Sequence, residues 1–488
     1  QNIVYSSDQL NYFSDKNSAT TMALSPRVTM NLNEANSVEA RFDYTLIRTM
    51  SEEFRALTIH GEKLKKEVPG FNFFPPRDEQ RSQSEIVLQP QLLFKTESIP
   101  YNKLAVGVNF SRRNFLDSDS THLFNFMRTT EEAQKPQAGK HKWLEVAAFA
   151  ETMMEFDRLS ILAGARFDRV QHDPLEITIS EKEETFDIAA SQNIAPRLAV
   201  SFSITDNHTI RTSYQQTFRY PDLNYLTARV PFQTYLKEHL SVTLEDLKNE
   251  TVHSMEAGVN GTITPLNLEY KATAFGNRYD DLMGWERPNV LFSDNPWLED
   301  TLLSRRKAKG EDYRMIRPGG TFDNAEETFW AVGGEIGLTY TFPNDMTTIE
   351  SNYSYTRPVA STDTLNTSCI YDGDELRWSS YPAHLVKLNF IQKLADERIT
   401  VSINPYYHSP IEGKPGEEDD LKYELNRHQI RLNGKIVASI NDHFALNVSG
   451  TNLLGSRVPE PVYDMGATYS GGLASDITKV YAGVELKW

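Results

Sequence analysis

Apolar residues recur at every second position along most of this chain, and the three-to-four spacing of an amphipathic helix is scarce. Alternation of that kind places successive side chains on opposite faces of a pleated strand. In 158–171, Leu159, Ile161, Ala163, Ala165 and Phe167 alternate with Ser160, Gly164, Arg166 and Asp168. In 428–440, Ile430, Leu432, Ile436 and Ala438 alternate with Arg431, Asn433, Lys435 and Ser439. The pattern predicts seventeen strands, at 21–32, 37–49, 84–96, 102–115, 143–156, 158–171, 194–205, 208–218, 251–263, 266–283, 328–342, 347–358, 384–395, 398–410, 428–440, 444–454 and 480–488. Most reach ten residues or more, whereas soluble strands average about five or six. A tilted strand crossing a bilayer needs about nine to eleven.

The connections alternate between short and long. The short ones, 33–36, 97–101, 157, 206–207, 264–265, 343–346, 396–397 and 441–443, are rich in Asn, Asp and Pro, the residues of tight hairpins. The long ones are 50–83, 116–142, 172–193, 219–250, 284–327, 359–383, 411–427 and 455–479. A soluble sandwich has no physical reason to keep that alternation through eight cycles. A large antiparallel transmembrane β-barrel has one, with short periplasmic turns on one side and long extracellular loops on the other. Placing a charge in lipid costs roughly 2–4 kcal/mol at the midplane, so the charged faces must look into the lumen. The end of the chain fits this reading. Val480, Ala482, Val484, Leu486 and Trp488 share one face, the pattern of a final membrane-inserting strand, with Tyr481, Gly483, Glu485 and Lys487 opposite.

Composition narrows the classes. No apolar run approaches the ~20 residues of a membrane helix. A net charge of −17 argues against nucleic acid as a partner. Cys369 is alone, which rules out an intrachain disulfide or a cysteine-based zinc site. No G-x-S-x-G, P-loop or H-E-x-x-H is present, so no enzyme is expected and no cofactor or metal is assigned.

Several segments together resemble the barrel domain of TonB-dependent outer-membrane receptors. Residues 149–168 (FAETMMEFDRLSILAGARFD) are similar to the family's hairpin ending in Gly-x-Arg-x-Asp. Residues 195–202 and 210–223 resemble the run into its Phe-Arg-x-Pro box, 250–259 the Glu-x-Gly strand that follows, and 448–455 with Trp488 the last hairpin. The resemblance spans roughly 140–488 and implies a 22-stranded barrel around an N-terminal plug. Counted back from a terminal strand 22, the first predicted strand is strand 6. About 17 of 22 strands are then expected here, with 1–20 the tail of an extracellular loop, 21–488 an incomplete barrel, and the plug outside the chain. The resemblance further implies location in the bacterial outer membrane, insertion by the barrel assembly machinery and contact with lipid and lipopolysaccharide. It implies energy coupling by the TonB–ExbB–ExbD system through the plug. The expected function is uptake of a scarce, bulky small-molecule ligand, a ferric siderophore first and haem, cobalamin or a glycan as alternatives. A passive porin, an outer-membrane hydrolase and a soluble all-β binding protein are the rivals outside the family.

Candidate ligand residues lie in the long connections. His239 sits between two motif segments, as the iron-binding histidine of the family's haem receptors does, and neutral imidazole is a good iron ligand. Tyr220 stands where those receptors carry a small residue, however, which favours a solvated loop histidine. Tyr220, Tyr225, Trp285, Trp297 and Tyr371 offer rings for stacking, or equally an outer aromatic girdle. Arg305 and Arg306 with Lys307 form a basic run that suits an anionic chelate or, as readily, lipopolysaccharide phosphates.

Overall fold

The alternating segments form one antiparallel sheet in a computed structural model that describes residues 2–6, 9–57, 77–118, 137–138, 141–179, 182–221, 223, 225–226, 229–230, 233, 245–286, 321–325, 328–360, 371–372, 375–376, 382–410, 428–456, 463–464, 467–468 and 477–486. In spatial order the sheet begins β1 (Asn2–Ser6), β2 (Gln9–Leu24), β4 (Asn36–Leu57), β5 (Arg77–Ile99), β6 (Asn102–Ser118), with β3 (Arg27–Asn31) continuing β2 along the edge of β4. It continues through β8 (His141–Phe156), β9 (Leu159–His172), β12 (Ser191–Thr205), β13 (His208–Arg219), β14 (Glu250–Ile263), β15 (Leu268–Asp280) and β18 (Phe329–Thr341). It ends with β19 (Thr347–Ala360), β22 (His384–Leu394), β23 (Ile399–His408), β24 (Gln429–Asn441), β25 (Phe444–Thr451) and β28 (Lys479–Leu486). Each strand pairs with its sequence neighbours, so every hairpin is a simple up-and-down step. Among the described residues no pairing joins the first strand to the last.

The two faces carry opposite chemistry. Outward rows are apolar and open: Ile194, Leu198, Phe202 and Ile204 on β12, and Ile430, Ile436 and Ile440 on β24, are each more than 40% exposed. A soluble fold does not leave such rows in water. The inward face carries ion pairs: Arg197 with Glu151, Arg166 with Asp168 and Glu145, Arg113 with Glu85. Two inward glycines face aromatic rings across the ladder, Gly107 opposite Phe149 and Gly333 opposite Phe275. A Cβ at either position would collide with the ring, so the phenyl group lies flat over bare backbone.

The sequence fixes the upper edge of the apolar band. On β9 the outward row runs to Phe167 and then becomes Arg169 and Gln171; on β6 Phe110 gives way to Arg112; on β8 Val146 and Leu144 give way to Lys142. His141, His172 and the described residues beyond them therefore stand outside the apolar band.

Differences from the sequence reading have local causes. The first predicted strand, 21–32, is broken at Pro26, which has no N–H to give the ladder. Register is nonetheless continuous across the break, Leu24 lying opposite Tyr44 and Arg27 opposite Arg41. Residues 2–6 and 9–20, expected to be a loop tail, are strand, and β2 pairs with β4 from Asn11 to Leu24. Among the described residues the sheet thus has nineteen strands in eighteen positions, since β2 and β3 share one. All eight short connections fall where expected. At 395–397 the turn takes three residues at positive φ, Ala395, Asp396 and Glu397. The long connections are not bare loops. They hold β7 (Gln137–Ala138) paired with the hairpin β10 (Leu175–Ile179) and β11 (Lys182–Phe186). They also hold the hairpins β16 (Met283–Glu286) with β17 (Thr321–Asn324), β20 (Tyr371–Asp372) with β21 (Glu375–Leu376), and β26 (Tyr463–Asp464) with β27 (Ala467–Thr468). The described residues of 223–233 are helical.

Candidate functional site

At the mouth above β8 to β15, side chains from three connections lock together. The helical stretch supplies Leu223, Leu226 and Val230 at helical spacing. Leu223 packs with Phe115, Leu175 and Phe186, and Trp143, Ile188 and Val230 complete this small apolar core. That cluster holds the stretch against the strand tops and the β10–β11 hairpin.

Polar contacts tie the other side. Arg219, the last residue of β13, faces Glu250, the first of β14. Its Nε and Nη2 donate to the two carboxylate oxygens at 2.5 and 2.7 Å, and Glu250 Oε1 also accepts the Met283 amide at 2.7 Å. The Arg219 guanidinium lies 5.3 Å over the Tyr225 ring, which packs against Phe322 at 4.1 Å between centroids. Arg229 is 2% exposed and clamps Asp323 with two bonds, 3.0 and 3.1 Å, while Nη2 also donates to the Glu245 carbonyl at 3.1 Å. Asn324 bridges chain segments: its Nδ2 donates to the carbonyls of Lys248 and Asp281, and its Oδ1 accepts the Lys248 amide. Loop 219–250 and the β16–β17 hairpin are thus fastened to each other by buried, charge-assisted bonds.

Between these parts lies a cavity of about 520 Å³, lined among others by His172, Ile188, Tyr220, Leu226, Arg229 and Gln233. Burial pushes the Tyr220 hydroxyl pKa upward, and Asp168 and Glu145 below it push the same way, so the phenol stays neutral. Among the described residues that hydroxyl has no hydrogen-bond partner. His172 and His141 meet at 3.0 Å, Nδ1 to Nε2, and stack with their ring centroids 5.3 Å apart. Burial holds His172 down to about 4, its neighbour His141 adding to the effect. Burial likewise lifts the Asp281 carboxyl.

Of the residues singled out from sequence, Tyr220 and Tyr225 come together in this mouth. Trp285 and Tyr371 lie on the small strands β16 and β20, where the described geometry is backbone only, Trp285 opposite Phe322 and Tyr371 opposite Leu376. His239, Trp297, Arg305 and Arg306 fall outside the described residues. So does Trp488, whereas Val480, Val484 and Leu486 are 66%, 60% and 59% exposed on the outward face, with Ala482 in the same row. Sequence reading missed Arg229, Asp323, Asn324 and Glu250. Arg229 and Asp323 are 94 positions apart, and only the meeting of two long loops pairs them.

A second polar area lies on the inward wall farther along the sheet. Glu350, Asn389, Asn404 and Asn433 form a row across four strands, joined by Asn389 to Glu350 and Asn404 to Asn389 hydrogen bonds at 2.8 and 2.5 Å. Lys387, Tyr406 and Arg431 form the next row and line a cavity with it.

The sequence profile described as "TonB dependent receptor-like, beta-barrel" matches residues 3–408. No curated protein matches the chain in sequence. Solved structures share the fold at low identity. The ferric-catecholate import receptor Fiu of E. coli K12 is 10% identical with a TM-score of 0.63, over 97% of this chain and 65% of that one. The copper transporter OprC is 12% identical with a TM-score of 0.64, over 96% and 65%. The ferric citrate transporter FecA, unliganded, is 12% identical with a TM-score of 0.65, over 97% and 62%. The chain thus spans about 65% of the length of such relatives. Those relatives are named as receptors and transporters rather than enzymes.

Proposed function

Because the chain belongs to the TonB-dependent receptor β-barrel family, we propose that it serves high-affinity uptake of a scarce, bulky metal chelate across the bacterial outer membrane, most specifically a ferric siderophore. The transport is energised through TonB–ExbB–ExbD and a plug, and the protein reaches the membrane by the barrel assembly machinery. The observation that carries the ligand class is the mouth: the Arg219–Tyr225–Phe322 stack beside a cavity of about 520 Å³. Glu250 already neutralises Arg219, so the stack offers a broad π-face and polarised N–H groups rather than net positive charge. Such a surface suits aromatic or conjugated chelating groups. The names of two relatives, an import receptor for ferric catecholate and a transporter of ferric citrate, agree with that class.

The test is binding to the purified protein, read by quenching of its tryptophan fluorescence, with ferric catecholates, ferric citrate, haem and cobalamin as probes. A ferric catecholate is expected to bind most tightly. Tyr225→Ala should weaken it about tenfold or more, while Tyr225→Phe should keep most of the affinity, because the ring supplies the stacking. Tighter binding of haem or cobalamin would move the protein to that ligand. Absence of saturable binding to any probe would favour a passive pore.

A further inference from the structure

We propose that the inward wall of β22, β23 and β24 is a second ligand site, one that takes the carboxylate and hydroxyl groups of an anionic hydroxycarboxylate. A break in the ladder makes room for it. β22 and β23 are in register at Lys387–Tyr406 and again at Phe390–Ile403, but no pairing joins Leu388 to Pro405 or Asn389 to Asn404 between them. Pro405 has no N–H to give the ladder. The wall opens there into a cavity of about 520 Å³. Amides line it. Asn389 is fully used, its Nδ2 donating to Glu350 and its Oδ1 accepting from Asn404. Asn404 keeps its Oδ1, and Asn433, whose Oδ1 accepts the Asn452 amide, keeps its Nδ2. Neither atom has a protein partner among the described residues, and Asn404 faces Asn433 across the ladder. An acceptor and a donor thus stand side by side. A hydroxyl both donates and accepts and so matches that pair, whereas an ionised phosphate oxygen only accepts. The amide of Asn352, in the next row, is likewise without a partner among the described residues.

Charge points to an anion. Register puts Arg431 in the row of Lys387, with Lys435 four residues further along β24. The two lysines are thus roughly 16 Å apart at the backbone, with the amides between them, and their extended side chains close that span from both sides. Both are exposed, and neither has an ion-pair partner among the described residues. Inward arginines elsewhere on the sheet are neutralised: Arg113 by Glu85, Arg166 by Asp168 and Arg197 by Glu151. Glu350 is the only acid in the two rows at the cavity, and it stands at the β19 end, held by Asn389. The mouth differs, since Glu250 and Asp323 hold its Arg219 and Arg229. Rings are therefore recognised at the mouth and negative charge on the wall.

The site deepens the uptake reading and rests on it, since it assigns to the lumen wall the negative charge that a ferric chelate carries. The test is isothermal titration of the full chain in mild detergent with iron-free citrate, with tricarballylate, which lacks the hydroxyl, and with inorganic phosphate. Citrate should bind saturably and about fivefold tighter than the other two. Lys387→Gln with Lys435→Gln should weaken it on the order of 25-fold, about fivefold per charge. Lys387→Arg with Lys435→Arg should retain binding, which separates loss of charge from loss of fold. Asn404→Leu should bring citrate down to the level of tricarballylate. Lys95→Gln, in the Glu39 ion pair on β5, should leave binding unchanged. Ferric citrate should bind the same wall and weaken in the same double variant. Citrate binding that is absent, unaltered in the double variant, or no tighter than that of phosphate would overturn the site. Loss of all ferric-chelate binding with citrate still held by the two lysines would instead leave the site standing and remove the uptake reading.

Discussion

The clamp between Arg229 and Asp323 makes an asymmetric prediction. Arg229 is 2% exposed and donates three bonds, two to Asp323 and one to the Glu245 carbonyl; Asp323 is 24% exposed. Asp323→Ala strands a buried guanidinium without its counter-ion, which costs roughly 3–5 kcal/mol. Arg229→Met removes the buried charge itself and leaves a carboxylate that water can reach, so its cost is roughly 1–2 kcal/mol, the scale of one lost charge-assisted bond. Replacing both, Arg229→Met with Asp323→Leu, should restore most of the loss. The clamp fastens loop 219–250 to the β16–β17 hairpin, so the change is read locally. Hydrogen exchange of a peptide covering 245–250 should quicken by about a hundredfold or more in Asp323→Ala and by about tenfold in Arg229→Met, since each 1.4 kcal/mol is a factor of ten. Equal acceleration in the two single variants, or less than threefold in Asp323→Ala, would refute the argument that burial of the guanidinium sets the asymmetry.

Two other expectations follow from the same geometry. Ile436→Arg puts a charge on the lipid-facing row of β24 and should lower unfolding stability in lipid vesicles by roughly 2–4 kcal/mol, whereas Lys435→Ala on the inward face should change it by less than about 0.5 kcal/mol. His172 is held neutral down to about pH 4, below the ordinary histidine value, so the unfolded chain takes up a proton first as pH falls. The stabilisation is complete above about pH 6.5 and is lost between there and pH 4, and exchange in 172–188 should rise across that window. His172→Gln should flatten the pH dependence, and an unchanged profile in that variant would remove the histidine pair as its source.

The barrel wall was legible in the sequence because its physics is one-dimensional. Period two, strand length and Asn/Asp/Pro turns are all local signals, and rows such as Leu159–Phe167 and Ile430–Ile440 state which side meets lipid. What the sequence hid depends on meetings between distant segments. Arg229 reads as a solvated loop residue until Asp323 arrives beside it, and Asn324 as turn filler until it spans Lys248 and Asp281. Hairpins such as β16–β17 are too short for period two to register. The break at Pro26 was readable in principle, since proline gives the ladder no donor, but the unbroken register on either side kept the apolar pattern intact. Tyr220 and Tyr225 were found by residue type, and their separate places, one half-buried in the cavity wall and one stacked under Arg219, emerged only with the loop in place.

The proposed energised uptake of a metal chelate is tested most directly by accumulation of a radiolabelled ferric siderophore in cells that carry or lack this protein. Uptake should require the protein, saturate at low ligand concentration and stop when a protonophore collapses the inner-membrane gradient. Uptake that survives the protonophore, or that rises linearly with concentration and falls with solute size, would contradict the account and leave a passive pore.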